Sequence, residues 1–209
     1  MMTAVIEYVN HNIDLYYTIG QQSIMTYILE QMLAQEYQTA CAAPTDIHEH
    51  LPMLKNIADR CTTVTEFGVR SGLSTRALLA SWATSVRCYD LELNEPVIAL
   101  VNQCRSLGRD VTYQQANTLN LVIEPTDLLF IDTLHTHDQL MQELRRHSNR
   151  VNRYIALHDT HTFGLQDEPG YSGPGLLPAL MQWMAEQRSW IINYHSWRNN
   201  GFTVIERIC

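Results

Sequence analysis

Residues Leu128-Leu-Phe-Ile-Asp132 form an almost wholly apolar run that ends on a carboxylate. A strand with one wet face alternates apolar and polar side chains. A run without alternation needs cover on both faces, as in a parallel sheet between layers of helix. Parallel neighbours cannot be joined by tight turns, so each pair needs a long crossover, usually a helix. The surrounding sequence supplies these crossovers. Strand-like segments at about 63–67, 86–90, 111–115 and 154–157 alternate with helical ones at about 73–83, after Glu95-Pro96 and after Thr136. Pro96 suits a first helical turn, and Thr136 with Gln139 resembles a capping box ahead of Leu140, Met141 and Leu144. The tail differs: 190–194 and 202–205 flank Asn200-Gly201, a hairpin signal. The pattern predicts an α/β fold, a seven-stranded, mainly parallel sheet with helices on both faces and a C-terminal antiparallel hairpin.

The chain of 209 residues is long enough for one packed domain and short for two. Ahead of the alternating region, residues 1–22 have no clear pattern. From Ser23, Ile24, Tyr27, Ile28, Met32 and Leu33 make a helical stripe that packs on the domain or on a second copy, and Ala42-Ala-Pro44 ends it. The division expected is an N-terminal helical extension, 1–44, and a main domain, 45–209. Asp46 with Glu49 reads as a capping pair for a helix through Leu51, Leu54 and Ile57, its start displaced by Pro52. Residues 162–175, rich in glycine and proline, read as a mobile loop beside the sheet's carboxyl edge, and 176–187 as a helix.

A formal net charge of −8 disfavours nucleic acid as a partner, and Arg145, Arg146, Arg150 and Arg153 read as a solvated helix face. The five cysteines are widely spaced with no C-x-x-C, which suits reduced thiols. No run of eighteen apolar residues and no basic leader occurs, so the expectation is a cytoplasmic protein without a membrane partner. The amphipathic first helix leaves a homodimer open.

Ligands of open α/β sheets bind beyond the carboxyl ends of the strands, so polar residues there carry the most weight. The first strand runs through Glu66-x-Gly68-x-x-x-Gly72-x-Ser74 into a helix, a turn whose glycines allow close approach and whose amides can face an anionic or nucleotide-like ligand. Alone, such a turn equally serves to connect a strand to a helix. The second strand ends in Asp90, placed for a ribose diol or else a turn aspartate. The third leads to Ala116-Asn117, the fourth to Asp132 and His135, the fifth to His158-Asp159. Asp132, His158 and Asp159 can hold a divalent ion: carboxylates favour Mg²⁺ or Mn²⁺, and the imidazole admits Fe²⁺ or Zn²⁺. A metal-free hydrogen-bonded cluster is the alternative. His135 stands where a general base toward a hydroxyl would stand. His11, His48, His50, His147 and His195 read as structural or surface histidines.

These residues resemble the class I S-adenosylmethionine-dependent methyltransferases over about 62–208. The subset most similar is the metal-dependent small-molecule O-methyltransferases, of the catechol and macrocin types with their cephalosporin-hydroxylase relatives. The resemblance implies a Rossmann-like fold and S-adenosylmethionine as cofactor, held by Glu66, Gly68, Gly72, Ser74 and Asp90, with Ala116 and Asn117 near the adenine. It implies Asp132 and Asp159 as metal ligands, Mg²⁺ first among candidates, and His135 as the base acting on a small-molecule acceptor. His158 departs from the family, standing where a carboxylate is usual. Tyr171, Trp183 and Trp197 are candidate acceptor contacts, Trp183 reading better as core. A nicotinamide-dependent oxidoreductase would need G-x-G-x-x-G, and Val69-Arg70 interrupts that spacing. A cofactor-binding module without catalysis and a related hydroxylase are the other readings.

Overall fold

The sheet has strand order β3-β2-β1-β4-β5-β7-β6. The computed structural model describes residues 24–208. Helices α1 (24–42) and α2 (Leu51–Ala58) precede the alternating region: β1 (Thr63–Phe67), α3 (Leu73–Leu79), β2 (Ser85–Asp90), α4 (Glu95–Ser106), β3 (Asp110–Gln115), β4 (Thr126–Ile131), α5 (His137–His147) and β5 (Val151–His158). Then come α6 (Leu176–Glu186), β6 (Trp190–Ser196) and β7 (Phe202–Arg207). Strands β1 to β5 pair in parallel, and β7 runs antiparallel to both β5 and β6. This is the Rossmann-like architecture expected.

The period of two in a strand sorts its side chains onto two faces. Val64, Val86, Leu128, Phe130 and Ala156 face one core with Leu54, Leu78 and Val101 of the helices. Phe67, Leu129, Ile131, Ile155 and Leu157 face the other, with Leu140, Leu144, Leu180 and Trp183. Leu128 through Phe130 are fully buried, which is why that run shows no alternation. Asn94 caps α4 and Thr136 caps α5, both through side-chain oxygens that accept helix amides.

Several expectations are corrected. The stripe on α1 is right in its second half only: Leu33 packs into the main core with Met32 against it, Leu29 and Ala40 join them, and Ile24, Tyr27 and Ile28 are exposed. Asp46 and Glu49 cap nothing; a 3-10 turn, His48–His50, leads into α2, and the Asp46 carboxylate pairs with Arg70 instead. Helix α3 stops at Leu79 rather than 83. The 162–175 loop is tied down: buried Asp167 accepts backbone amides from His137 (2.8 Å), Gly173 (2.9 Å) and Gly175 (3.0 Å). Among the described residues, no helix is long and apolar enough to cross a membrane. Cys41, Cys61, Cys88 and Cys104 are free thiols. Residues 1–22 with His11, together with Ser23 and Cys209, lie outside the described residues.

Candidate functional site

Between β1 and β4 the order of the sheet reverses, and a crevice opens at such a switch point. Because β1, β2, β4 and β5 are parallel, Glu66, Asp90, Asp132, His158 and Asp159 all emerge at one rim. The glycine loop packs against the backbone that leaves β4. Gly68 has φ +82°, and a Cβ there would sit 1.9 Å from the carbonyl oxygen of Asp132. Gly72, φ +76°, occupies the N-cap of α3 in the left-handed region.

Glu66 and Ser74 turn toward each other. Ser74 Oγ donates to Glu66 Oε1 at 2.5 Å and Thr75 Oγ1 donates to Oε2 at 2.8 Å, with the carboxyl fully buried. Burial pushes its pKa up to about 7, against the pull of these hydrogen bonds and that of Cys88. The pair therefore braces the loop from beneath. Asp90 braces it from the side: Oδ2 accepts the amides of Val69 (2.7 Å) and Arg70 (2.8 Å), and among the described residues Oδ1 accepts only the Glu92 amide, at 3.2 Å. Ala116 donates its amide to Asp90 O, and Asn117 Oδ1 caps its own 3-10 turn, Thr118–Asn120.

The residues singled out after β4 and β5 do come together. Asp132 Oδ1 and Asp159 Oδ2 lie between two imidazoles. His135 Nε2 is 3.2 Å from the first and 3.0 Å from the second; His158 Nδ1 is 3.3 Å and 3.2 Å away. Burial alone would lower both imidazoles, but the two carboxylates outweigh it and hold each at about 10. Burial likewise raises the carboxylates, and the imidazoles more than reverse that, leaving Asp132 and Asp159 below the usual range. Asp159 has φ +57°, a strained value outside glycine, and its buried Oδ1 has no hydrogen-bond partner among the described residues. An unsatisfied buried carboxylate oxygen beside three converging ligand atoms fits a bound cation, and Asp132, His158 and Asp159 offer one ligand atom each within 4.8 Å of one another.

Several partners were not foreseen from sequence. Glu168 Oε2 accepts both the backbone amide (3.1 Å) and Nδ1–H (2.9 Å) of His135, whose ring stacks on Phe163. The Asp46 carbonyl accepts His158 Nε2–H at 3.1 Å. Arg70 pairs with the Asp46 carboxylate at 2.9 Å, and its charge is held in place by Asp46, Asp132 and Asp159. Beside His135 and His158 lies a cavity of about 10 Å³, room for one water, lined also by Thr133 and Glu143. Glu143 is fully buried, accepting hydroxyls from Thr118 and Thr133 and the Gln139 amide, and burial raises its pKa. His50 and His147 are structural, donating to the carbonyls of Arg198 and Thr118. Trp183 is core; Tyr171 and Trp197 are exposed.

No protein-family model matches the sequence, and no curated protein matches it. Solved structures do match. A protein from Corynebacterium glutamicum shares 15% identity at a TM-score of 0.62, covering 85% of this chain and 89% of its own. The O-methyltransferase from Bacillus cereus, solved in complex with SAH, gives 14% identity and 0.58 over 86% and 90%. The SAH-bound methyltransferase PaMTH1 from Podospora anserina gives 16% and 0.56 over 85% and 88%. The fold is thus one shared with solved methyltransferases, two of them bound to SAH.

Proposed function

We propose that this chain is an S-adenosylmethionine-dependent methyltransferase acting on a small-molecule hydroxyl, assisted by a divalent cation. One observation carries the reading: the glycine loop and the His/Asp cluster meet, with Gly68 pressed onto the backbone of Asp132. A donor seated on the loop would have its methyl beside an acceptor seated at the cluster, and alignment of that kind supplies much of the rate in a displacement. The loop is held in shape by Glu66, Ser74, Thr75 and Asp90. Asp90 Oδ1, with a single 3.2 Å bond, is the oxygen available for a ribose hydroxyl.

Asp132, Asp159 and His158 are the residues that would hold the cation, with Mg²⁺ or Mn²⁺ the sequence-based expectation. When bound, a divalent ion lowers the pKa of a coordinated hydroxyl and fixes its direction. Asp132, His135 and Glu168 are each partly exposed to solvent. Tyr171 and Trp197, the acceptor contacts expected from sequence, are exposed. His135, the base expected from the spacing, already gives Nδ1–H to Glu168 and turns Nε2 onto two carboxylates. It takes a proton only after releasing the one it holds there.

Calorimetric titration with S-adenosylmethionine and with NAD, followed by transfer of a labelled methyl group to phenol and sugar panels with and without chelator, tests the proposal. Binding of S-adenosylmethionine and chelator-sensitive labelling are expected; binding of NAD alone overturns it. A hydroxylase is the second reading, favoured by two imidazoles among carboxylates, a donor set also used by non-haem iron oxygenases. Product mass separates the two, as a gain of oxygen against a gain of one methylene.

A further inference from the structure

We infer that Arg70 is a positioning residue that acts on His158 through Asp46, so that seating the cofactor on the glycine loop and binding a cation at the cluster favour one another. This rests on the two sites proposed above, but not on methyl transfer.

Arg70 sits on a backbone that does not suit it. The loop turns through left-handed angles at Gly68, Arg70 and Gly72, with φ of +82°, +49° and +76°. Glycine adopts such angles freely, whereas a side chain carries a steric cost there. A glycine at position 70 would make the same turn with less strain, so the turn alone does not call for arginine. Nor does fold stability: the side chain is 74% exposed, and an ion pair that open to water adds little. What the guanidinium supplies is direction. Nη1 and Nη2 meet Asp46 Oδ2 and Oδ1 at 2.9 Å and 3.0 Å, a two-pronged contact that sets the angle of both partners.

Asp46 serves the cluster with its backbone. Its carbonyl accepts His158 Nε2–H at 3.1 Å, which leaves Nδ1 turned onto Asp132 and Asp159. A partner behind a ligating imidazole sets its tautomer and angle, and losing one typically weakens metal binding about 10- to 100-fold. Thr45, next in the chain, is pinned through its carbonyl by Asn199 Nδ2 at 2.8 Å. At the loop end, the Arg70 amide donates to Asp90 Oδ2 at 2.8 Å, on the carboxylate whose Oδ1 is proposed for a ribose. Asp90, Arg70, Asp46 and His158 thus form one run of direct contacts from loop to cluster. A ligand that holds one end spares a ligand at the other end part of the cost of ordering this strut, and such a linkage is reciprocal.

The test is a linkage measurement on the chelator-stripped full chain. Electron paramagnetic resonance follows Mn²⁺ titrations with and without saturating S-adenosylhomocysteine, whose neutral sulfur brings no positive charge beside the ion. The ratio of the two affinities is the linkage, and taking it within each variant sets aside the charge that a substitution removes. In the wild type S-adenosylhomocysteine should raise Mn²⁺ affinity about 5-fold or more, as in ordinary coupling between sites. Arg70→Gln and Asp46→Asn break the two-pronged contact from opposite sides. Each should bring the ratio to within about 2-fold of unity, and combining them should change it no further. Circular dichroism identifies any variant that fails to fold, and the other then carries the comparison. A wild-type ratio of one, or a wild-type ratio retained in either folded variant, overturns the inference while leaving both sites intact. Failure of S-adenosylhomocysteine or of Mn²⁺ to bind at all refutes the site proposed for it, and this inference with it.

Discussion

Gly68 and Gly72 offer a controlled comparison. Both have φ near +80°, so alanine at either position carries a similar left-handed strain of about 1–2 kcal/mol. Their surroundings differ. At Gly72 the new Cβ meets side-chain atoms, Val97 Cγ2 at 2.6 Å and Arg76 Nη1 at 3.0 Å, which can give way. At Gly68 it meets the Asp132 carbonyl oxygen at 1.9 Å, and that carbonyl belongs to backbone fixed by a hydrogen bond from Asp132 N to Phe67 O at 2.9 Å. Relieving the overlap must move the loop or the segment bearing Asp132, adding about 2 kcal/mol or more by the usual cost of overpacking. For a chain of this size, about 1 kcal/mol lowers Tm by about 3 °C. Gly72→Ala should therefore melt about 3–6 °C below wild type and Gly68→Ala about 10 °C below. Scanning calorimetry reads stability and Mn²⁺ titration reads the site; Gly68→Ala should lose both, Gly72→Ala mainly the first. Equal melting of the two variants with full Mn²⁺ affinity in each would refute the close packing of loop and Asp132.

Other expectations follow from the same contacts. Glu66 keeps its proton more tightly folded than unfolded, about 7 against an ordinary 4.5. Its contribution is therefore complete below pH 4.5 and is lost as pH rises through 7, by about 3 kcal/mol. Denaturant unfolding of wild type and Glu66→Gln should show a stability difference that changes by that order between pH 5 and 8; a flat difference refutes the buried-acid assignment. In the metal-free protein His135 and His158, both at about 10, should remain imidazolium at pH 8 by nitrogen-15 NMR. Their stabilisation is full below 6.5 and lost as pH rises through 10. Neutral rings at pH 8 would contradict the carboxylate sandwich. Asp167→Ala leaves three backbone amides without their acceptor, so about 2–4 kcal/mol of stability and the hydrogen-exchange protection of 163–175 should go together. Unchanged exchange at Gly173 and Gly175 would show the loop is held by something else.

How much of this was legible depended on how local each signal was. A strand's period of two and the polar residue closing each strand are written in neighbouring positions. Asp90, Asp132, His158 and Asp159 could therefore be assigned to one rim before any coordinates. Glu66 and Ser74 were found with their motif, but nothing in a motif says whether its polar members face a ligand or each other, and here they pair. The support of the cluster was not legible. Glu168 reaches His135 across 33 positions, and Asp46 reaches Arg70 across 24, separations that only the finished fold closes. Asp46 also misled, since Asp followed three residues later by Glu mimics a capping box. On α1 the stripe through Ile24, Tyr27, Ile28, Met32 and Leu33 holds only at Met32 and Leu33; Leu29 is buried where Ile24, Tyr27 and Ile28 are exposed, and tertiary packing rather than local periodicity sets that choice.

The turn between β6 and β7 is stitched to the segment before α2. Asn199 Nδ2 donates to Thr45 O at 2.8 Å, Glu49 N donates to Asn199 Oδ1 at 3.1 Å, and His50 Nε2 donates to Arg198 O at 2.7 Å. The same early segment supplies the Asp46 carbonyl behind His158. The segment that backs His158 is thus held by contacts to residues about 150 positions later in sequence. The backing of His158 therefore depends on the terminal hairpin having docked, however early its own segment is made.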